Sequence, residues 1–151
     1  MKREASLEEK LKNAETQMPG VWDQLKPYDF GSRSYSSFHA GAIQDLEYVE
    51  TEKYQVVAAK WDEHYYGGRG GIEWSEWVSI HYREKGSREI KQTKTERIET
   101  RNRYDAREDK KHLWPYNFVK IEVLESDQVK VSWADENGET LSEVEYTIKL
   151  E

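Results

Sequence analysis

Asp62, His64, Glu76 and Glu96 are the residues whose types and spacing could do chemistry in this chain. They lie in stretches that read as β-strands: KYQVVAAKWDEHY, IEWSEWVSIHYR and REIKQTKTERIETR alternate with period two and are rich in β-branched and aromatic residues. Joining the first two through the Gly-Gly-Arg-Gly-Gly tip at 67–71 pairs Tyr66 with Ile72, His64 with Trp74, Asp62 with Glu76 and Trp61 with Trp77. A three-residue loop at the following turn sets Arg83 against Glu89, Tyr82 against Ile90 and Trp74 against Ile98, which brings Glu96 into one row with Asp62 and Glu76. Like charges opposed across strands are unfavourable unless a cation, a histidine or a shared proton offsets them. Two carboxylates held together push one pKa upward, which makes an acid/base pair, and with His64 the same set suits a divalent metal ion. The plainer alternative is a solvent-facing sheet end at which Lys60 and Lys94 neutralise the row.

The opposite face of these strands carries Trp61, Tyr65, Trp77 and His81 beside Ser75, Ser79, Lys91, Thr93, Thr95, Arg97 and Arg101. Flat aromatics next to cations make a platform for a planar or anionic group, single-stranded nucleic acid included, and Arg69 at the glycine tip could add a phosphate contact. Alternatively, Trp61 and Trp77 pack beneath the N-terminal helix or the 21–42 segment, because tryptophans are mostly buried.

What positions these residues is also legible. SLEEKLKNAETQM opens with a capping box, Ser6 and Glu9; Leu7, Leu11, Ala14 and Met18 form one stripe, and Pro19-Gly20 ends it. This predicts an amphipathic helix over about 6–18. Residues 19–45 show no lasting period and read as an irregular segment with a short strand or two. Gly20-Val21-Trp22 resembles the G-x-W at the start of lipocalin-like barrels. From about 46 to 150 strand patterns dominate. Asn137-Gly138 signals a two-residue turn that pairs Val131 with Val144 and Val129 with Tyr146. Short connections favour an antiparallel meander. The expected fold is mainly β (α+β): one domain, with the helix packed on a curved sheet of six to eight strands, open or closed into a barrel.

Composition bounds the function. The chain has 151 residues, 36% hydrophobic, 35% charged and 13% aromatic, which describes a folded domain with a small, aromatic-rich core. There are no cysteines, which excludes disulfides, thiol catalysis and Cys-ligated zinc. No apolar run approaches a membrane span and no signal-peptide core is present, so a soluble, cytoplasmic protein is expected. Residues 83–111 hold eleven Lys/Arg and seven Asp/Glu, a local +4 that leaves −11 for the rest of a chain whose net charge is −7. Such a strand can meet an anion despite the overall charge. His39 and His112 stand alone, and no phosphate-loop, dinucleotide, zinc-protease or nucleophile-elbow motif occurs.

The leading expectation is therefore a non-enzymatic binding module using Trp61, Tyr65, Arg69, Trp77, His81, Lys91, Arg97 and Arg101. One alternative is a metal-dependent or acid/base hydrolase using Asp62, His64, Glu76 and Glu96. Another is a small-molecule-binding barrel. The expected partners exclude a membrane, and the chain is either a monomer or a homodimer paired through the 88–103 edge.

Overall fold

In the computed structural model, residues 6–29, 31–32, 39–66, 72–102, 113 and 115–151 are described. The glycine tip with Arg69, and Arg103, His112 and most of the 104–117 loop lie outside them, as do the side chains of Trp74, Glu96, Arg97, Ile98 and Arg101.

The capping box forms as the sequence predicts. Helix α1 runs Leu7–Gln17, the Glu9 N–H donates to Ser6 Oγ at 3.2 Å, and Ser6 Oγ–H donates to Glu9 Oε1 at 3.3 Å. Segment 19–45 is more ordered than its aperiodic sequence suggests. It holds a second helix, α2 (Val21–Leu25), a 3-10 turn (Lys26–Tyr28), a short strand β1 (Gly31–Ser32) and the beginning of β2 (His39–Glu50). Gly20 takes φ 101°, a left-handed conformation suited to glycine, and the Glu15 carboxylate accepts from the Gly20 and Trp22 N–H groups. That carboxylate does for α2 what an N-cap side chain normally does, and it does so from outside the segment.

The remaining strands are β3 (Tyr54–Tyr66), β4 (Ile72–Glu84), β5 (Lys91–Asn102), β6 (Phe118–Glu125), β7 (Gln128–Ala134) and β8 (Thr140–Lys149). They form two antiparallel sheets, β1-β2-β3-β4-β5 and β6-β7-β8. Among the described residues no ladder joins the two sheets into a closed barrel. The seam between β2 and β6 is bridged by side chains instead: Asp45 Oδ2 accepts from the Val119 N–H at 2.8 Å, and Thr51 Oγ1–H donates to Ser126 O at 2.6 Å. The G-x-W likeness carries no barrel with it, since Trp22 lies on α2 and is exposed.

Packing produces three layers. The inner face of the larger sheet, with Val56, Ala58, Val78, Ile80 and Tyr82, meets Val119, Val129, Val131, Trp133 and Val144 of the smaller sheet. Its outer face, with Ile43, Leu46, Val57, Ala59 and Trp61, is covered by Ala14, Met18, Val21 and Leu25 of the two helices. The predicted helical stripe is thus accounted for, with Leu7 and Leu11 at its rim.

The registers decide which side chains share a face. The β3–β4 ladder pairs Trp61 with Trp77, Asp62 with Glu76, His64 with Trp74 and Tyr66 with Ile72, as the alternation predicts. Up to Trp77 the β4–β5 ladder differs by one residue from the sequence expectation, with Tyr82 paired to Lys91, Ile80 to Thr93 and Ser79 to Lys94. Beyond it the ladder differs by two, so that Trp74 pairs with Thr100 and not Ile98. Ile90 is the reason. It leaves the ladder to pack against the helical cluster, and its carbonyl accepts from Gln24 Nε2 at 2.9 Å. A bulge between the Trp77 and Glu76 pairs then inserts one extra residue into β5. A bulge and exposed Lys91 and Lys94 are features that discourage an outer strand from pairing with another chain.

The last hairpin is displaced by two residues, so Val131 pairs with Tyr146 and Val129 with Ile148. Its turn is longer than the Asn-Gly pair implies. Gly138, at φ 83°, donates to Asp135 O, the Asp135 N–H donates to Glu139 O, and Asp135 Oδ1 accepts from the Asn137 and Glu139 N–H groups. A shift of two preserves the faces, and Val144 stays in the core.

Candidate functional site

The outer aromatic face exists, but the chain fills it itself. Trp61 is sandwiched between Tyr28 of the 3-10 turn, at 4.1 Å between ring centroids, and Trp77, at 5.4 Å, with 11° between planes in both pairs. Only 3% of Trp61 is exposed. Tyr28 occupies the place where a planar ligand would stack, and Gln92 Nε2 donates to its hydroxyl. The shifted register also divides the expected basic array. Lys91, Thr93 and Thr95 stand opposite the inner-face residues Tyr82, Ile80 and Val78, while Lys94 belongs to the outer face, 5.3 Å above the Trp77 ring. Tyr65 is exposed.

His81 is fully buried on this face and works as a structural link. Trp61 Nε1–H donates to Ser79 Oγ at 3.2 Å, Ser79 Oγ lies 2.9 Å from His81 Nε2, and His81 Nδ1 lies 2.7 Å from Gln24 Oε1. Gln24 Nε2 already donates to Ile90 O, so its Oε1 accepts and the His81 proton sits on Nδ1. Ser79 Oγ–H then donates to Nε2. The order Ser–His–amide resembles a nucleophile relay, yet Ser79 and His81 have no exposed surface and no substrate can reach them. Burial, aided by Lys94, lowers the His81 pKa from 6.5 to about 4. The sign follows: above pH 6.5 the ring is neutral in both states and costs nothing. Between 6.5 and about 4 the unfolded chain takes up a proton that the fold refuses, so stability falls as pH falls. The loss attributable to this group is about 3 kcal/mol across that window. It should appear as the difference between urea-unfolding profiles of the wild type and His81→Gln; parallel profiles from pH 6.5 to 4 would show that His81 does not titrate as its burial requires.

The inner face carries the chemistry. At the β2 bulge Gln44 is the extra residue, so Ile43 pairs with Trp61 on the outer face while Asp45 pairs with Lys60 on the inner one. Lys60 is completely buried. Its ammonium donates to Gln44 Oε1 at 2.7 Å and Glu76 Oε1 at 3.0 Å, and it stands 4.3 Å from the centroid of the Trp133 ring. Two residues along β3, the Asp62 carboxylate accepts from the Ala42 N–H and lies 3.2 Å from His64 Nε2. Side-chain exposure rises outward along the cluster: 0% for Lys60, 7% for Glu76, 10% for His64 and 15% for Asp62. The row is therefore enclosed between the sheets, not frayed into solvent, and Lys94 is on the other side of the sheet.

Burial pushes the Glu76 carboxyl above the ordinary carboxylate range, with Asp62 adding to the rise against the pull of Lys60. Burial acts the same way on Asp62, but the His64 hydrogen bond and the Lys60 charge outweigh it and hold that carboxyl low. The two facing carboxyls are thus pushed in opposite directions, Glu76 up and Asp62 down, as in pairs that divide acid and base roles. Glu96 does not join them: its Cα partner is Trp77. Among the described residues no three histidine or carboxylate side chains gather to hold a metal ion.

Sequence reasoning found Asp62, His64 and Glu76 but missed Gln44, Asp45 and Trp133, which have no periodic signal of their own. It also missed Lys10, whose ammonium reaches Asp45 at 2.8 Å and Glu47 at 3.1 Å along the wall of a cleft of about 460 Å³ at the β2–β6 seam. Asp45 and Glu47 raise the Lys10 pKa even though desolvation works to lower it. Compared with protein-family models, curated proteins and solved structures, the chain matches none.

Proposed function

We propose that the protein is a binding module for a small anionic or planar ligand, seated at the polar end of the layer between the two sheets. The outer platform offers no free ring face at Trp61, so the seat moves to the inner face and the Lys60–Glu76–Asp62–His64 cluster. The observation that carries the reading is the complete burial of Lys60 beside a core cluster of aliphatic and aromatic side chains. A buried ion pair is no better for stability than well-packed apolar residues, so its presence calls for another reason, and ligand recognition supplies one. The graded exposure from Lys60 out to Asp62 gives the ligand a direction of approach. The test is a titration of ¹⁵N-labelled protein with small carboxylic acids, amines and neutral amides, followed by NMR. Saturable shifts confined to 42–45, 60–64 and 75–78 are expected for one class; if no class moves these segments, the reading fails.

A further inference from the structure

Among the buried polar atoms of this layer, Trp133 Nε1 stands out. Trp133 is 1% exposed and its indole N–H has no hydrogen-bond partner among the described residues. A buried donor left unsatisfied costs about 1–3 kcal/mol, so a native fold retains one where something else accepts from it. Lys60 sits over the same ring, and two of its three ammonium protons are taken by Gln44 and Glu76. Both the indole edge and the ammonium ask for an acceptor. The core cluster that holds Trp133 includes Val78, Val119, Val131 and Val144, apolar side chains that suit a flat hydrocarbon body.

We infer that the ligand is a planar carboxylate, an aromatic acid in the simplest case, whose oxygens accept from the Trp133 indole N–H and the Lys60 ammonium. This rests on the binding reading above. The acid's ring lies between the sheets, among the apolar side chains of their shared core. Lys60 exchanges its Glu76 contact for the incoming carboxylate, and Glu76, left beside Asp62 and without its cation, takes up a proton. No bond is made or broken; one proton moves from solvent to Glu76 for each ligand bound. A neutral amide of the same shape offers one acceptor oxygen but no charge, and leaves Glu76 paired.

The experiment uses benzoate and benzamide as probes on full-length ¹⁵N-labelled protein, with the Trp133 indole resonance assigned by its disappearance in Trp133→Phe. Benzoate is expected to shift that resonance saturably, benzamide to bind at least about tenfold more weakly. Calorimetry in buffers of different ionisation enthalpy should show proton uptake with benzoate that is lost in Glu76→Gln. Trp133→Phe should weaken benzoate, and because it keeps an aromatic ring at the site it reports even if Lys60→Met does not fold. Equal affinities for the two probes, or benzoate binding that leaves the Trp133 resonance unmoved, would overturn the carboxylate assignment and leave the binding reading standing. Inner-face shifts with amines alone would do the same. If none of the titrated classes produces inner-face shifts, both fall together.

Discussion

Replacing Lys60 by methionine is expected to cost the domain about 3–5 kcal/mol, a large part of the total for a chain of this size. The reason is what stays behind. Glu76 and Asp62 are cross-strand neighbours enclosed between two sheets, and Lys60 is the cation that lets both remain there. Without it Glu76 must be protonated or the sheets must part. The complementary change, Glu76→Gln, should cost less. Its carboxyl is already displaced toward the neutral form by burial and by Asp62, and an amide oxygen can still accept from the ammonium. Replacing both together, Lys60→Met with Glu76→Leu, removes the two charges and their desolvation at once and should return most of the lost stability. Urea unfolding of the three variants closes a double-mutant cycle. A coupling near zero, with Lys60→Met no worse than an ordinary surface change, would mean that water reaches the pair, contrary to the burial seen here.

That prediction depends on a register the alternation made legible and on a partner it did not. Thirteen paired positions from Tyr54 to Tyr66 leave the β3–β4 hairpin almost no freedom, because a slip of one residue would expose Val56, Ala58, Val78 and Ile80. The next turn lacked that protection. Setting Tyr82 against Ile90 satisfied the apolar pattern within the sheet, yet Ile90 belongs to the helical layer, and a tertiary contact of this kind leaves no periodic trace. One misplaced isoleucine carried Glu96 into the carboxylate row and Lys91 onto the wrong face. The last hairpin failed more gently: Asp135 capped a longer turn, and from Gln128 to Ser132 the displacement of two kept the faces in place. Segment 19–45 resisted reading because its helix is capped by Glu15, five residues ahead of Gly20. As for the site, Asp62 and Glu76 were visible as a pair that a sheet should avoid, whereas Trp133 and Asp45 reach Lys60 only once the second sheet and the β2 bulge are in place.

Truncating Trp61 to alanine is expected to remove about 4 kcal/mol of stability, and to do so without telling anything about ligand affinity. The side chain is almost entirely buried, lies against Tyr28 on one face and Trp77 on the other, and satisfies Ser79 through its indole N–H. Its loss leaves a void under the 3-10 turn, unstacks both neighbours and removes the donor that orients the Ser79 hydroxyl toward His81. Trp61→Phe separates these contributions. It keeps a ring between Tyr28 and Trp77 but lacks the N–H, so it should cost about 1–2 kcal/mol and blunt the acid sensitivity assigned to His81. Trp77→Ala, at a half-buried position, should fall between the two. A Trp61→Ala variant as stable as the wild type that has lost an oligonucleotide affinity would reverse the assignment: Tyr28 would then be a displaceable cover and the outer platform the working surface. The two hydrogen bonds that tie Gln24 to His81 and Ile90, with the stack itself, argue for a fixed layer, because displacing Tyr28 would strain the same short segment that these bonds hold.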